Sequence, residues 1–422
     1  MSRTALIKFF FVLPLLFSSG RTALWAQSAW TIYNTTNSGL PDNNVRVIAI
    51  DHLHRKWIGT EGAGLAVFND TTWTIYTAAN SGLPDNFIKA LFVDSANRIW
   101  IGTASGGVAL FDGTTWQSWN TSNSGLPNDF VRGIAMDSLG FLWFGTSSGL
   151  AKFDGDTAWQ VWHDLNSPLL SNNITSIVVA PDNTKHFATI NGGMYDFNDT
   201  TFLVYTVATA GLSDNSAFCV AIDTFETRYY ASPAAGIMMH YNFNSWGYYN
   251  TIGSGIGSNS LTWVTVDSQQ TVYAASMDCG VSRFVPPVTW TVWDTLSSPI
   301  PDGYTQCVVK ENNHIVWIAT REGGLVRVDE NPVSGIEGQE ANAGVWPACY
   351  PNPANAGRMI SFNVVVPDES PVELLDVNGR VVFQSSVRAN AVQLPADLCA
   401  GVYVLRLYSN GTAPVNMKLI VR

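Results

Sequence analysis

Apolar residues in this chain fall into short runs of four to six, bounded by Gly, Pro, Asn, Asp and Ser, and the runs come in groups of four. One group reads Trp73-Thr-Ile-Tyr76, then a polar loop Asn80-Ser-Gly-Leu-Pro-Asp-Asn86, then runs at 87–94, 98–103 and 107–111. Runs this short, rich in β-branched and aromatic residues and separated by turn formers, predict strands. The group repeats. Its lead positions are Trp30, Trp73, Trp116, Trp159, Phe202, Trp246 and Trp290, spaced by 43, 43, 43, 43, 44 and 44 residues. Four short strands at that period make one propeller blade, and seven leads predict seven blades.

The run 45–51 and its copies 88–94 and 131–137 carry small and aliphatic side chains, which suit the crowded inner strand beside a central channel. The bulky Trp-led run is then outermost. The repeat opens on an outer strand at 30–33 and finishes with three inner runs at 304–309, 315–320 and 325–328. The first strand is therefore expected to complete the last blade, a Velcro closure that leaves no unpaired sheet edge around the ring.

The residues of units one to three also resemble a known family. Gly-Leu-Pro-Asp-Asn, then Val-x-x-Ile-Ala-x-Asp, Trp-Ile-Gly-Thr and Gly-Leu are similar to the two-component regulator propeller repeat, found in extracellular sensor regions of Bacteroidetes hybrid histidine kinases and in secreted proteins. The last unit keeps Val316-Trp-Ile-Ala-Thr320 and Gly323-Gly-Leu325. Units four to six drift: the loop becomes Pro168-Leu-Leu-Ser-Asn-Asn173, Gly211-Leu-Ser-Asp-Asn215 and Gly255-Ile-Gly-Ser-Asn259.

Both ends differ from the repeat. Residues 1–26, with Arg3 and Lys8 ahead of an apolar run 9–17 and small residues after it, are expected to be a signal peptide. The propeller is expected over 27–330 and a Gly-, Ala-, Asn- and Glu-rich linker over 331–346. Alternating runs at 361–366, 372–376, 379–383, 391–394, 401–407 and 415–421 then predict a small antiparallel β-sandwich over 347–422, so the fold class is all-β. This end carries Tyr350-Pro-Asn-Pro-Ala354, Leu375-Asp-Val-Asn-Gly-Arg380, Gly401-Val-Tyr403 and Lys418-Leu-Ile-Val-Arg422, and resembles the type IX secretion C-terminal sorting domain. That resemblance implies the type IX secretion machinery and its sortase as partners, and a chain secreted or attached to the outer-membrane surface. No later stretch reaches the roughly 18 apolar residues of a membrane helix, so no transmembrane segment is expected in the mature chain.

Charge narrows the ligand classes. Of 22 basic and 33 acidic residues, three basic ones lie in the leader, and six basic and five acidic ones lie beyond residue 344. The section between carries a net −15, which disfavours nucleic acid and anionic polysaccharide for the propeller as a whole while leaving room for a local basic patch. Neutral glycans, cations and basic surfaces stay open. Five scattered cysteines, Cys219, Cys279, Cys307, Cys349 and Cys399, give neither a disulfide framework nor a Cys-x-x-Cys metal pair; a bond between Cys349 and Cys399 stays open.

Candidate chemistry is sparse. The lead tryptophans and the second set, Trp57, Trp100, Trp143 and Trp317, read as packing between blades. Asp51, Asp94, Asp137, Asp223 and Asp267 end inner strands and read as turn stabilisers. No catalytic residue, metal site or cofactor is assigned. His52, His54, His163, His186, His240 and His314 form no metal-binding motif. The drifted units and the polar rim around the channel supply the candidate ligand-binding residues: Tyr229, His240, Asp214, Asn215, Asn259, Arg321 and Glu322. The leading reading is a non-enzymatic binding module for an extracellular glycan or protein. Its rivals are a metal-assisted lyase on the same fold and a structural or adhesion component of the cell surface.

Overall fold

The computed structural model describes residues 29–241, 245–286, 289–330, 349–350, 357–362, 369–376, 380–389, 391–408 and 415–421. The expected signal peptide and linker lie outside them.

Seven four-stranded antiparallel sheets form the blades. Blade one runs outward from the inner strand Val45–Ile50 through Lys56–Thr60 and Leu65–Phe68 to the outer strand Trp73–Tyr76. The inner strands of successive blades lie side by side, and that of blade seven, Thr305–Lys310, returns to that of blade one, closing the ring. Ala29–Tyr33 pairs with Leu325–Asp329 as the outer strand of blade seven, with Trp30 opposite Val328. The Velcro closure expected from the repeat is present.

Repeated residues have repeated jobs. The indole N–H groups of Trp57, Trp100 and Trp143 donate to Asp51, Asp94 and Asp137 at 2.9, 3.1 and 3.0 Å. Each of these carboxylates also caps its own hairpin; Asp51 accepts the backbone N–H groups of Leu53 and Arg55 at 2.9 Å. Burial acts to raise the Asp51 carboxyl, but the bonds from Trp57 and Arg55 outweigh it and hold it below its ordinary value. In blades one to three the lead tryptophan stacks on the third-strand phenylalanine, as in Phe68–Trp73 at 4.3 Å and Phe153–Trp159 at 4.3 Å. The loop glycine is explained by the same residue: a Cβ on Gly39 would sit 2.6 Å from the Cβ of Trp73 in the next outer strand.

One irregularity recurs. In blades one, two, three, four, six and seven the inner strand has a β-bulge after its first residue, skipping Arg46, Lys89, Arg132, Thr175, Thr262 and Gln306 in the register. A bulge re-aims the side chain it carries. Blade five begins its inner strand at Cys219 and pairs without the shift.

The C-terminal part holds two antiparallel sheets, one of Cys349–Tyr350, Met359–Phe362 and Ala391–Gln393, the other of Val381–Ser386, Pro371–Leu375, Gly401–Leu407 and Val415–Val421. Ile360 and Val392 of the first share a buried cluster with Leu374, Leu405 and Leu419 of the second, so the two pack as a sandwich. The strand expected at 361–366 is described as Met359–Phe362, and 363–368 fall outside the described residues. Cys399 is an exposed free thiol; the Cys349 side chain lies outside the described residues. No helix among the described residues is long and apolar enough to cross a membrane.

Candidate functional site at the channel mouth

The inner strands enclose a channel whose interior cavity is about 330 Å³, lined largely by backbone and small aliphatic side chains. On the rim side, where the polar loops enter the inner strands, a second cavity of about 280 Å³ forms the mouth. Five bulge residues line it, together with Glu61, Phe130, Trp263 and Phe218, the last from the unbulged blade five. Arg46, Lys89 and Arg132 stand on consecutive blades; Thr175, Phe218 and Thr262 stand on blades four to six. The mouth is therefore two-sided, cationic over blades one to three and aromatic or hydroxylic over the rest.

One carboxylate serves the cations. Glu61, on the loop after the second strand of blade one, pairs with Lys89 and lies 3.7 Å from the Arg46 Nε. The Arg46 Nη1 donates to the Gln306 Oε1 at 3.2 Å. Arg132 lies over the Phe130 ring at 4.3 Å and donates from Nη1 to the Asn173 Oδ1 at 2.9 Å. Burial, and then the charge of Arg46, pull the Arg132 guanidinium below its usual range. Like charges are thus crowded in a half-enclosed space, where their repulsion is less screened than at an open surface.

The far wall breaks the repeat. Beside the bulge, or at the equivalent place in the unbulged blade five, six blades carry Val47, Ala90, Gly133, Ser176, Cys219 and Cys307, each paired with the small residue near the end of the second strand. Blade six carries Trp263, paired with Ala275. Its half-buried indole lines both the mouth and the inner channel and packs against apolar clusters of several blades. Thr175 and Thr262 spend their hydroxyl protons on the carbonyls of Ala217 and Thr305, each at 2.7 Å.

A second polar feature lies between blades four and five, toward the opposite face. His186 replaces the second-strand tryptophan, and Ala180 replaces its turn aspartate. The His186 Nδ1 sits 2.5 Å from the Asp196 Oδ1, whose other oxygen accepts from the Tyr205 hydroxyl at 3.0 Å and the Arg228 Nη2 at 3.3 Å. Arg228 Nη2 is also 2.5 Å from the His240 Nδ1. His240 takes the place of the third-strand phenylalanine and stacks on Trp246 at 4.4 Å. Burial acts to raise the Asp196 carboxyl, but His186, Arg228 and Tyr205 together hold it below its ordinary value. A groove of about 420 Å³ opens over this cluster.

The residues singled out from the sequence fall into two groups. Tyr229 and His240 belong to blade five near the opposite face. Tyr229 takes the tryptophan's role, donating its hydroxyl to Asp223 at 3.1 Å, and burial followed by the Asp223 charge push that hydroxyl up. Both are buried, at 8 % and 2 % exposure. The other five lie on the rim. Asp214 accepts from the Ser232 hydroxyl at 2.7 Å, and Asn215 and Asn259 cap their loops by accepting the backbone N–H groups of Val207 and Thr251 at 2.7 and 2.9 Å. Arg321 lies over the Tyr304 ring at 5.0 Å, and the Glu322 backbone N–H donates to Asp302 at 2.8 Å. The structure does not bring the seven together. Arg46, Lys89, Arg132, Phe218 and Trp263 were not singled out from the sequence. The signal was there for the three cations, which recur at intervals of 43 residues. Among the described residues no group of three or more His, Cys, Asp or Glu is placed to hold a metal ion.

Comparison with known proteins fits this architecture. Residues 82–105 and 125–148 match the two component regulator propeller, and residues 348–422 match the secretion system C-terminal sorting domain. No curated protein matches the sequence. The fold is similar to the extracellular domain assigned to hybrid two component system BT3049 of B. thetaiotaomicron, with a TM-score of 0.62 and 17% identity over 94% of this chain and 58% of that one. It is similar to PorZ, a surface component of the type-IX secretion system of Porphyromonas gingivalis, with a TM-score of 0.57 and 16% identity over 93% of this chain and 60% of that one. It is also similar to virginiamycin B lyase from Staphylococcus aureus, with a TM-score of 0.59 and 11% identity over 72% of this chain and 99% of that one. The chain spans about three fifths of the first two neighbours, and identities this low establish the fold alone. A sorting domain of this kind marks a chain for export to the cell surface or for secretion. The chain is a propeller protein that carries two-component regulator propeller repeats and, at residues 348–422, a secretion system C-terminal sorting domain.

Proposed function

We propose that this chain is a binding module, exported through the type IX machinery and processed by its sortase, that holds an extracellular glycan or protein at the channel mouth on its rim face. One observation carries the reading: the mouth is lined by Arg46, Lys89 and Arg132 at the bulge positions of blades one to three and, across from them, by Phe218 just ahead of the unbulged inner strand of blade five, with Trp263 beside it. A repeated residue is accounted for by the ring. A set that breaks the repeat around one open cavity is accounted for by something that enters it. The groups there are donors and aromatic faces, which bind and orient, with no nucleophile–base pair beside them.

The enzyme reading draws on the His186–Asp196–Arg228–His240 cluster under its groove. Asp196 already serves three partners there, and His240 is stacked on Trp246, so these groups are committed to joining two blades. The secreted protein should be scanned for thermal stabilisation by neutral and acidic glycans, and for capture of proteins from the cell surface. A ligand that binds only the folded state raises the melting temperature, by about 2.7 kcal/mol of stability at 100 times Kd. If no glycan shifts the melting temperature and no surface protein is captured, the binding-module reading is rejected.

A further inference from the structure

Resting on that reading, we propose that the mouth takes an acidic sugar unit, its carboxylate among Arg46, Lys89 and Arg132 and its ring against Phe218 and Trp263. The chain's overall charge argues the other way, but it is an average. The mouth itself holds three cations against the single carboxylate of Glu61. At physiological ionic strength, charges beyond about 8 Å are largely screened, so acidic residues on the outer wall contribute little there.

The cations have donors to spare. Among the described residues Arg132 makes one side-chain hydrogen bond, from Nη1 to Asn173, and Lys89 makes one, to Glu61. A guanidinium carries five N–H donors in a planar fork that matches a planar carboxylate. The Arg132 guanidinium is held over the Phe130 ring and bonded to Asn173, so part of its freedom is already lost before binding. The opposite wall adds what an inorganic anion cannot use. Phe218 and Trp263 put aromatic surface into the lining, against which the C–H face of a pyranose can pack. A neutral sugar would leave the cations unanswered; a bare phosphate would leave the aromatics unanswered. The cavity of about 280 Å³ lies just below the roughly 300–1,000 Å³ typical of ligand pockets. One sugar unit, at the end or branch of a chain, fits that size better than a polymer strand lying across the mouth.

The test titrates the full secreted chain by calorimetry with glucuronate, glucose, inorganic phosphate and an acidic peptide, in wild type, Arg132→Gln, Phe218→Ala and the outer-wall control Lys152→Gln. Circular dichroism and melting temperature without ligand establish that each variant is folded. Glucuronate should bind the wild type and Lys152→Gln alike. It should lose about tenfold or more in Arg132→Gln, the scale of one charge-assisted hydrogen-bonded pair, and weaken in Phe218→Ala. Glucose and phosphate should each bind at least about tenfold more weakly than glucuronate. Equal binding of glucose and glucuronate, equal binding of phosphate and glucuronate, tighter binding of the acidic peptide, or an unaffected folded Arg132→Gln would each overturn the inference. If glucuronate is silent while a neutral glycan or a protein binds, the acidic-sugar inference falls and the binding module stands. If glucuronate is silent, no glycan shifts the melting temperature and no surface protein is captured, both fall.

Discussion

Replacing Asp196 by Ala tests whether the polar cluster between blades four and five is structural. The carboxylate is the common acceptor for His186 at 2.5 Å, Tyr205 at 3.0 Å and Arg228 at 3.3 Å. The side chains of His186, Asp196 and Arg228 are 5%, 9% and 8% exposed, so solvent cannot readily replace the lost oxygens. Removing one partner of a buried ion pair leaves the other without its counter-charge, which costs about 3–5 kcal/mol. At about 2 °C per kcal/mol in a large domain, the melting temperature should fall by about 6–10 °C. Asp196→Asn, which keeps shape and one acceptor oxygen, should lie between. Urea unfolding followed by tryptophan fluorescence gives the free energies, provided the urea slope is unchanged. The pH dependence checks the cause. The folded-state carboxyl is held below its ordinary value, so its contribution is complete above the unfolded pKa of about 3.9 and is lost as pH falls through the lower folded value. Asp196's own titration should therefore narrow the gap between wild type and Asp196→Ala only below about pH 4. A loss under 1 kcal/mol, or a gap already closing near pH 6 through Asp196, would refute this account.

Three further outcomes follow from the geometry. Gly107→Ala should destabilise by about 1–3 kcal/mol or more, because its φ is +80° and the new Cβ would meet the Trp119 carbonyl oxygen at 2.2 Å; Gly113→Ala, at φ +101° with nothing within 4 Å, should lose clearly less in the same urea titration. Deleting residues 29–33 exposes the Leu325–Asp329 edge and should cause self-association by light scattering; a monodisperse monomer would count against the closure. In the folded chain at pH 8, iodoacetamide should label exposed Cys399 and spare Cys219 and Cys307, whose thiols burial pushes up to about 11 and about 12; early labelling of Cys307 in a mass map would contradict its placement.

The blade was legible because its determinants are local or strictly periodic. Trp57 finds Asp51 six residues away in the same hairpin, and Trp73 meets Phe68 across one turn. The mouth was harder for a physical reason. Alternation along Val45-Arg46-Val47 reads as an ordinary strand, and only the bulge in the register sets Arg46 at the channel entrance. Trp263 hid among many tryptophans, although it alone stands where the other blades carry Val, Ala, Gly, Ser or Cys. The Asp196–Arg228 bond joins neighbouring blades across 32 residues, a separation no hairpin or strand periodicity encodes. Net charge says little about the mouth because it sums over the whole ring, whereas a ligand in a half-enclosed mouth meets the few charges within a Debye length.

The two departures from the repeat therefore differ in kind. Between blades four and five, His186, Arg228 and His240 replace aromatic or apolar packing, but Asp196, Tyr205 and Trp246 answer them within the protein and burial closes the set. That is another way of gluing two blades, and it requires nothing from outside. At the mouth, three cations share one carboxylate, Arg132 uses one of its five donors among the described residues, and an indole stands where the other blades carry Val, Ala, Gly, Ser or Cys. The positive charge there is left largely unanswered by the fold. A ring that repels itself at its open end gains most from a molecule that brings a negative charge and an apolar face together, and that makes the rim, rather than the more heavily substituted wall of blades four and five, the place to look for its ligand.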